Sequence, residues 1–118
     1  MAKKKAGRYN VYVVELDQNV WNERKKFRDA NPHFNGKLEC LYVGMTSNTP
    51  EERFRKHKIG YRTSKGIKIS SPIVEKFGKC LRPSLYQRFN PLTKAKAIRM
   101  EKELAESLRK RGYAVWWN

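Results

Sequence analysis

The chain has 118 residues, 39% of them hydrophobic and 32% charged, which leaves room for one domain with a single modest core. Lys and Arg number 27 against 11 Asp and Glu, a formal net charge of +16; the expected partner is nucleic acid, although a ribosomal-type protein or a merely solvated basic surface would share that charge. No apolar run approaches the roughly 18 residues of a membrane span or has the place of a signal peptide, and two cysteines with two histidines make neither a disulfide framework nor a zinc site, so a cytoplasmic protein with reduced Cys40 and Cys80 is expected.

Residues 1–8, with Lys3, Lys4 and Lys5, read as a basic flexible arm, and residues 9–118 as one domain. Residues 9–16 alternate and are rich in Val and Tyr, as a strand is. Residues 17–31 have helical periodicity through Val20, Trp21 and Phe27, and Asn31-Pro32 and Asn35-Gly36 then mark a stop and a turn. Residues 38–43 predict a second strand, pairing antiparallel with the first and stopping at Gly44. Thr49-Pro50-Glu51-Glu52 is a capping box with proline at the first helical position, so a helix should run to about Lys58. Between 53 and 68 stand seven cations (Arg53, Arg55, Lys56, Lys58, Arg62, Lys65, Lys68) and no acid, and residues 60–70 read as an exposed basic loop. Residues 73–77 form a short helix or strand. Residues 79–85 add a third strand, which Pro83 would place at an edge. Residues 93–111 make a long amphipathic helix ended by Gly112, and the apolar tail from Tyr113 folds back on the core. The expected fold is α/β (α+β), a small three-stranded, mainly antiparallel sheet flanked by helices.

One carboxylate is out of place. Ala97, Leu104 and Leu108 define an apolar helical stripe, and Glu101 falls on it while Glu103 and Glu106 do not. A carboxylate turned inward needs a partner, either a Lys or Arg or a divalent metal. Arg53 and His57, four apart, share a face of the capped helix; such a face is either solvated or turned to a ligand. Tyr12 and Tyr42 lie on strands, where packing is the ordinary role of tyrosine.

Taken together these residues resemble the GIY-YIG nuclease family. Asn10-Val11-Tyr12 stands at the first motif tripeptide and Tyr42-Val43-Gly44 at the second, with Thr46, the Arg53–His57 helix and Glu101 in the order the family has them. The chain departs from the family in Asn10 for glycine, in an inserted helix and loop at 17–37, and in one extra residue before Arg53, which rather than Arg55 takes the arginine role. Many relatives carry an asparagine after the glutamate helix; the downstream candidate here is Asn118, further along.

The resemblance implies a small stand-alone, metal-dependent endonuclease that hydrolyses phosphodiester bonds in DNA. Glu101 would bind one Mg²⁺ or Mn²⁺ per active site, and Arg53 would hold the phosphate. Tyr12, Tyr42 or both would position or activate water, with His57 assisting. Arg55, Lys56, Lys58, Arg62, Lys65, Lys68 and Gly44 would contact double-stranded or branched DNA, with no membrane and a monomer favoured. The alternative is a non-catalytic DNA- or RNA-binding module that keeps the nuclease fold.

Overall fold

The computed structural model describes residues 7–68 and 70–117. Most of the basic arm, with its three lysines, and Asn118 lie outside the described residues. Strand β1 (Asn10–Leu16) leads to two short helices, α1 (Asn19–Glu23) and α2 (Lys25–Ala30), then to β2 (Cys40–Thr46) and α3 (Pro50–Lys58). The remaining elements are α4 (Pro72–Phe77), β3 (Gly78–Leu81), two short 3₁₀ turns, the long α5 (Lys94–Lys110) and β4 (Ala114–Trp117).

The sheet has four strands in the order β3-β1-β2-β4. β1 pairs antiparallel with both β2 and β3, whereas β2 and β4 run parallel. The sheet is therefore mixed, and the expected three-stranded, mainly antiparallel sheet is corrected by one strand. The apolar tail does return to the core, but as that fourth strand. A parallel neighbour requires a crossover connection, and α5 is its last part. β3 is an edge strand as Pro83 indicated, although it ends at Leu81 and Pro83 opens a 3₁₀ turn instead. The β strands hold a continuous core of Val11, Val13, Val14, Leu16, Leu41, Val43 and Val115, each at most 1% exposed. Among the described residues no helix is long and apolar enough to cross a membrane.

Three further expectations are adjusted. The helix at 17–31 is broken at Arg24, which is extended at φ −121° and ψ 97°. Arg28 reaches back from α2 to the carbonyls of Trp21 and Asn22, satisfying acceptors that the break leaves open. β2 runs on through Met45 and Thr46, so Gly44 lies inside the strand and does not end it. Only half of the capping box forms: Thr49 Oγ1 accepts from the Glu52 N–H, while the Glu52 carboxylate pairs with Arg55 at 2.7 Å.

Two asparagine side chains finish the sheet where strands are missing. The Asn31 amide accepts from the Val115 N–H and donates to the Val115 carbonyl, closing that part of the outer edge of β4. Asn90 does the same for Val11 on β1, beyond the end of β3. Each amide presents one donor and one acceptor, as a strand neighbour would. Asn31, 4% exposed, also accepts from Arg109 Nε, so the inserted segment is tied to α5 as well as to β4.

Candidate active site

The β1–β2 register pairs Tyr12 with Gly44 and Val14 with Tyr42. Residues directly opposite share a face, so both phenols project from the same side of the sheet, on a diagonal, with ring centroids 6.2 Å apart. The Tyr12 ring lies across Gly44, where a Cβ would stand 2.6 Å from its Cζ and Oη. That is the physical reason for glycine here. It makes room for a tyrosine, and Gly44 itself is buried.

Helix α3 closes over the phenols. Its Thr49 cap fixes the start of the helix, and one turn separates Arg53, half-buried, from His57, fully buried. His57 Nε2 lies 2.8 Å from Tyr12 Oη, and His57 Nδ1 accepts the Ser71 peptide N–H at 2.8 Å. A peptide N–H can only donate, so Nδ1 carries no proton and the neutral ring is assigned its hydrogen on Nε2. His57 therefore donates to Tyr12 Oη. Burial first, and then the Arg53 charge, push the His57 pKa down to about 4, which keeps the ring neutral near pH 7.

The two phenols are not equivalent. Burial raises the Tyr12 pKa well above the ordinary phenol range; nearby Tyr42 adds to this, while the charge and hydrogen bond of Arg53 oppose it. Burial also raises Tyr42, followed by the charge of Glu101; Arg53 and hydrogen bonds from Ser71 and Tyr12 lower it. A hydrogen bond that favours the anion is one donated to it. His57 Nε2 thus donates to Tyr12, while the Tyr12 and Ser71 hydroxyls are the hydrogen-bonding neighbours of Tyr42.

Glu101 approaches this group from α5, near enough for its charge to act on Tyr42. It is half-buried and makes no ion pair among the described residues, so the Lys or Arg partner that its stripe position allowed is not found there. Burial alone raises its pKa to about 7. No family model, curated protein or solved structure matches the chain.

The structure thus brings together Tyr12, Tyr42, Arg53 and His57, with Glu101 beside them. The expected nucleic-acid contacts other than the buried Gly44 are found in varied states. Arg55 is exposed and paired with Glu52; Lys56 stacks on the Tyr61 ring at 4.8 Å; Lys58 donates to the Glu75 carbonyl; Lys68 pairs with the Glu75 carboxylate at 2.6 Å. Arg62 donates to the Gly66 carbonyl, and Lys65 is exposed.

Ser71 is the site residue that sequence reasoning missed. Ser71-Pro72 has the form of a helix start, serine before proline at the first helical position, and that signal was available. Its contact with His57, fourteen residues away, was not.

Glu101 meets the requirement for a cation ligand in one respect: an inward carboxylate without a counter-charge gains from one. No group of three or more His, Cys, Asp or Glu able to hold a metal occurs among the described residues. The donor set therefore fits a hydrated Mg²⁺ or Mn²⁺ that completes its shell with water and substrate phosphate, and does not fit a preformed cage.

Proposed function

We propose that the chain is a divalent-metal-dependent endonuclease of the GIY-YIG type, hydrolysing phosphodiester bonds in double-stranded or branched DNA. The observation that carries the reading is the buried His57, bonded to Tyr12 and the Ser71 peptide and packed with Tyr42, with Arg53 acting on both phenols and Glu101 on the second. A packing role for two tyrosines requires neither a buried histidine in a fixed tautomer nor a carboxylate without a counter-charge. The motif resemblance around Tyr12, Tyr42, Arg53, His57 and Glu101 supports the same reading.

Hydrolysis needs a deprotonated water, charge neutralisation on the phosphate and help for the leaving 3′ oxygen. Tyr42 is the better base of the pair, because its anion accepts hydrogen bonds from Tyr12 and Ser71 and faces the Arg53 charge. Once its own proton has passed to solvent, the phenolate takes a proton from water; the hydroxide forms the new P–O bond, and the 3′ oxygen departs and is protonated by solvent. Arg53 holds a non-bridging oxygen as negative charge builds. Glu101 would hold Mg²⁺ or Mn²⁺, which when bound supplies positive charge for the phosphate and the leaving oxygen. Neutralising Glu101 also removes the second cause of the high Tyr42 pKa.

The test is plasmid nicking with and without Mg²⁺ in wild type, Arg53→Ala and Glu101→Ala. Each variant should lose about 10²–10³-fold in rate while still binding DNA, the cost of removing one preorganised charge-stabilising group. Full cutting by both variants would overturn the site. Strong, salt-sensitive binding with no cutting by the wild type would point to the non-catalytic module instead.

A further inference from the structure

The basic stretch at 60–68 folds back on itself as a short hairpin-like turn closed by one antiparallel bridge. The Gly66 N–H bonds the Thr63 carbonyl at 2.8 Å, closing a four-residue turn over Thr63, Ser64, Lys65 and Gly66. The Thr63 N–H bonds the Ile67 carbonyl at 2.9 Å, the Ile67 N–H bonds Thr63 Oγ1 at 3.2 Å, and Arg62 bridges Lys68 antiparallel. Gly66 stands at φ 81° with nothing within 4 Å of where a Cβ would be, so its glycine serves conformation and not space. A turn followed by a glycine in the left-handed region is a standard three-residue hairpin closure. The base of the arm is fastened through Glu75, which pairs with Lys68 and accepts from Lys58 and Ser70. Ser71, next along the chain, is the residue that orients His57.

What this arm displays is unusual in combination. Ile67 is 60% exposed on a ribbon whose other exposed groups include the cations Arg62, Lys65 and Lys68. A lone exposed isoleucine is ordinary on a protein surface. One carried on an acid-free, hydrogen-bonded turn whose base is tied through Glu75 and Ser71 to the candidate site has a more specific use. The major groove of duplex DNA is about 12 Å wide and admits a two-stranded ribbon, with thymine methyl groups along its floor and phosphates along both walls.

We propose that the 61–68 hairpin is a groove arm that enters the major groove of a DNA duplex, Lys65 meeting phosphate at its turn and Ile67 meeting the apolar base edges. This rests on the nucleic-acid reading of the adjacent site and adds to it a substrate class: the duplex must continue beyond the bond that is cut. The arm seats the helix so that its backbone reaches Arg53 and Tyr42. Single strands, having no groove, take only the phosphate contact.

The experiment measures binding of the full chain, in EDTA to prevent cutting, to a fluorescent duplex and to its single strand over a range of salt concentrations. Lys65→Ser should weaken duplex binding and lower the salt slope by about one. Ile67→Ser should weaken duplex binding about tenfold, as loss of one buried aliphatic contact does, and leave both the salt slope and single-strand binding unchanged. Dimethyl sulfate should find guanine N7 protected by the wild type, with that protection lost in Ile67→Ser; unchanged melting temperatures exclude a folding defect. Duplex binding by both variants equal to wild type, an equal Ile67→Ser loss on single strands, or an unprotected N7 would overturn the arm alone. Absence of salt-sensitive duplex binding in the wild type would overturn the nucleic-acid reading and the arm together.

Discussion

Residues 53–57 and 62–68 belong to one basic stretch, yet the fold puts them to opposite uses. In the first, His57 is fully buried, both ring nitrogens are hydrogen-bonded and the ring is held neutral. In the second, Arg62, Lys65 and Lys68 stay at the surface, where water and a few local bonds support their charge. Charge density along a sequence reports attraction to polyanions but not role. Role depends on which groups are removed from water, because removal forces each polar atom to find a partner.

The two glycines of these regions give the sharpest way to break the comparison. Gly44→Ala would drive a Cβ to 2.6 Å from the fully buried Tyr12 ring and displace its hydroxyl from His57. We expect a loss of about 1–3 kcal/mol in denaturant melts, together with a fall in cutting of about 100-fold from the displaced phenol. Gly66→Ala meets no neighbour and should cost about 1–2 kcal/mol for its left-handed backbone alone. Equal effects on cutting from both substitutions would mean that the buried group and the arm are not functionally separate.

A smaller effect should appear in the pH dependence of stability. His57, with a folded pKa of about 4 against an ordinary 6.5, binds its proton more readily when unfolded. Its contribution is present above pH 6.5 and is lost as pH falls towards 4. Glu101, raised to about 7 from an ordinary 4.5, acts in the opposite sense: its contribution is present at acid pH and is lost as pH rises through 7. The two oppose one another between pH 4.5 and 6.5, so the wild-type profile is partly levelled there. His57→Gln should flatten the acid loss, and Glu101→Gln should flatten the loss on approaching pH 7. If Glu101 is the metal ligand proposed above, added Mg²⁺ should raise the melting temperature more at pH 8 than at pH 6, since the ionised carboxylate is the form that would bind it. Urea melts from pH 4 to pH 8 read the first two outcomes, and thermal melts at pH 6 and pH 8 read the third.

The smallest expected effect lies in the arm. Lys65→Ser should leave stability within about 0.5 kcal/mol of wild type, as exposed substitutions away from special contacts do. A larger change would mean that Lys65 supports the fold and is not held for a ligand.

Much of the scaffold was legible in the chain itself. Alternation in β1, the Thr49 cap of α3, and the stripe that turns Glu101 inward are local patterns, and local patterns follow from backbone geometry and burial of one face. The spacing of Arg53 and His57 put both on one helical face in advance. Three features escaped. β4 looked like a tail because four residues carry no period of their own and gain a partner only after α5 brings them beside β2. The 17–31 helix looked continuous because its break is stabilised by Arg28 reaching back, a contact that periodicity does not encode. Gly44 looked like the end of a strand because the ring that crosses it comes from another strand.

The sequence by itself determined which residues carry charge, where helices start and which carboxylate faces inward, since each depends on neighbours within a few positions. Only the tertiary structure decided the neutral state of His57, its hydrogen bond with Tyr12 and the place of Ser71. Those depend on atoms brought together across 45 residues in one case and 14 in another, under a burial that no single segment produces alone.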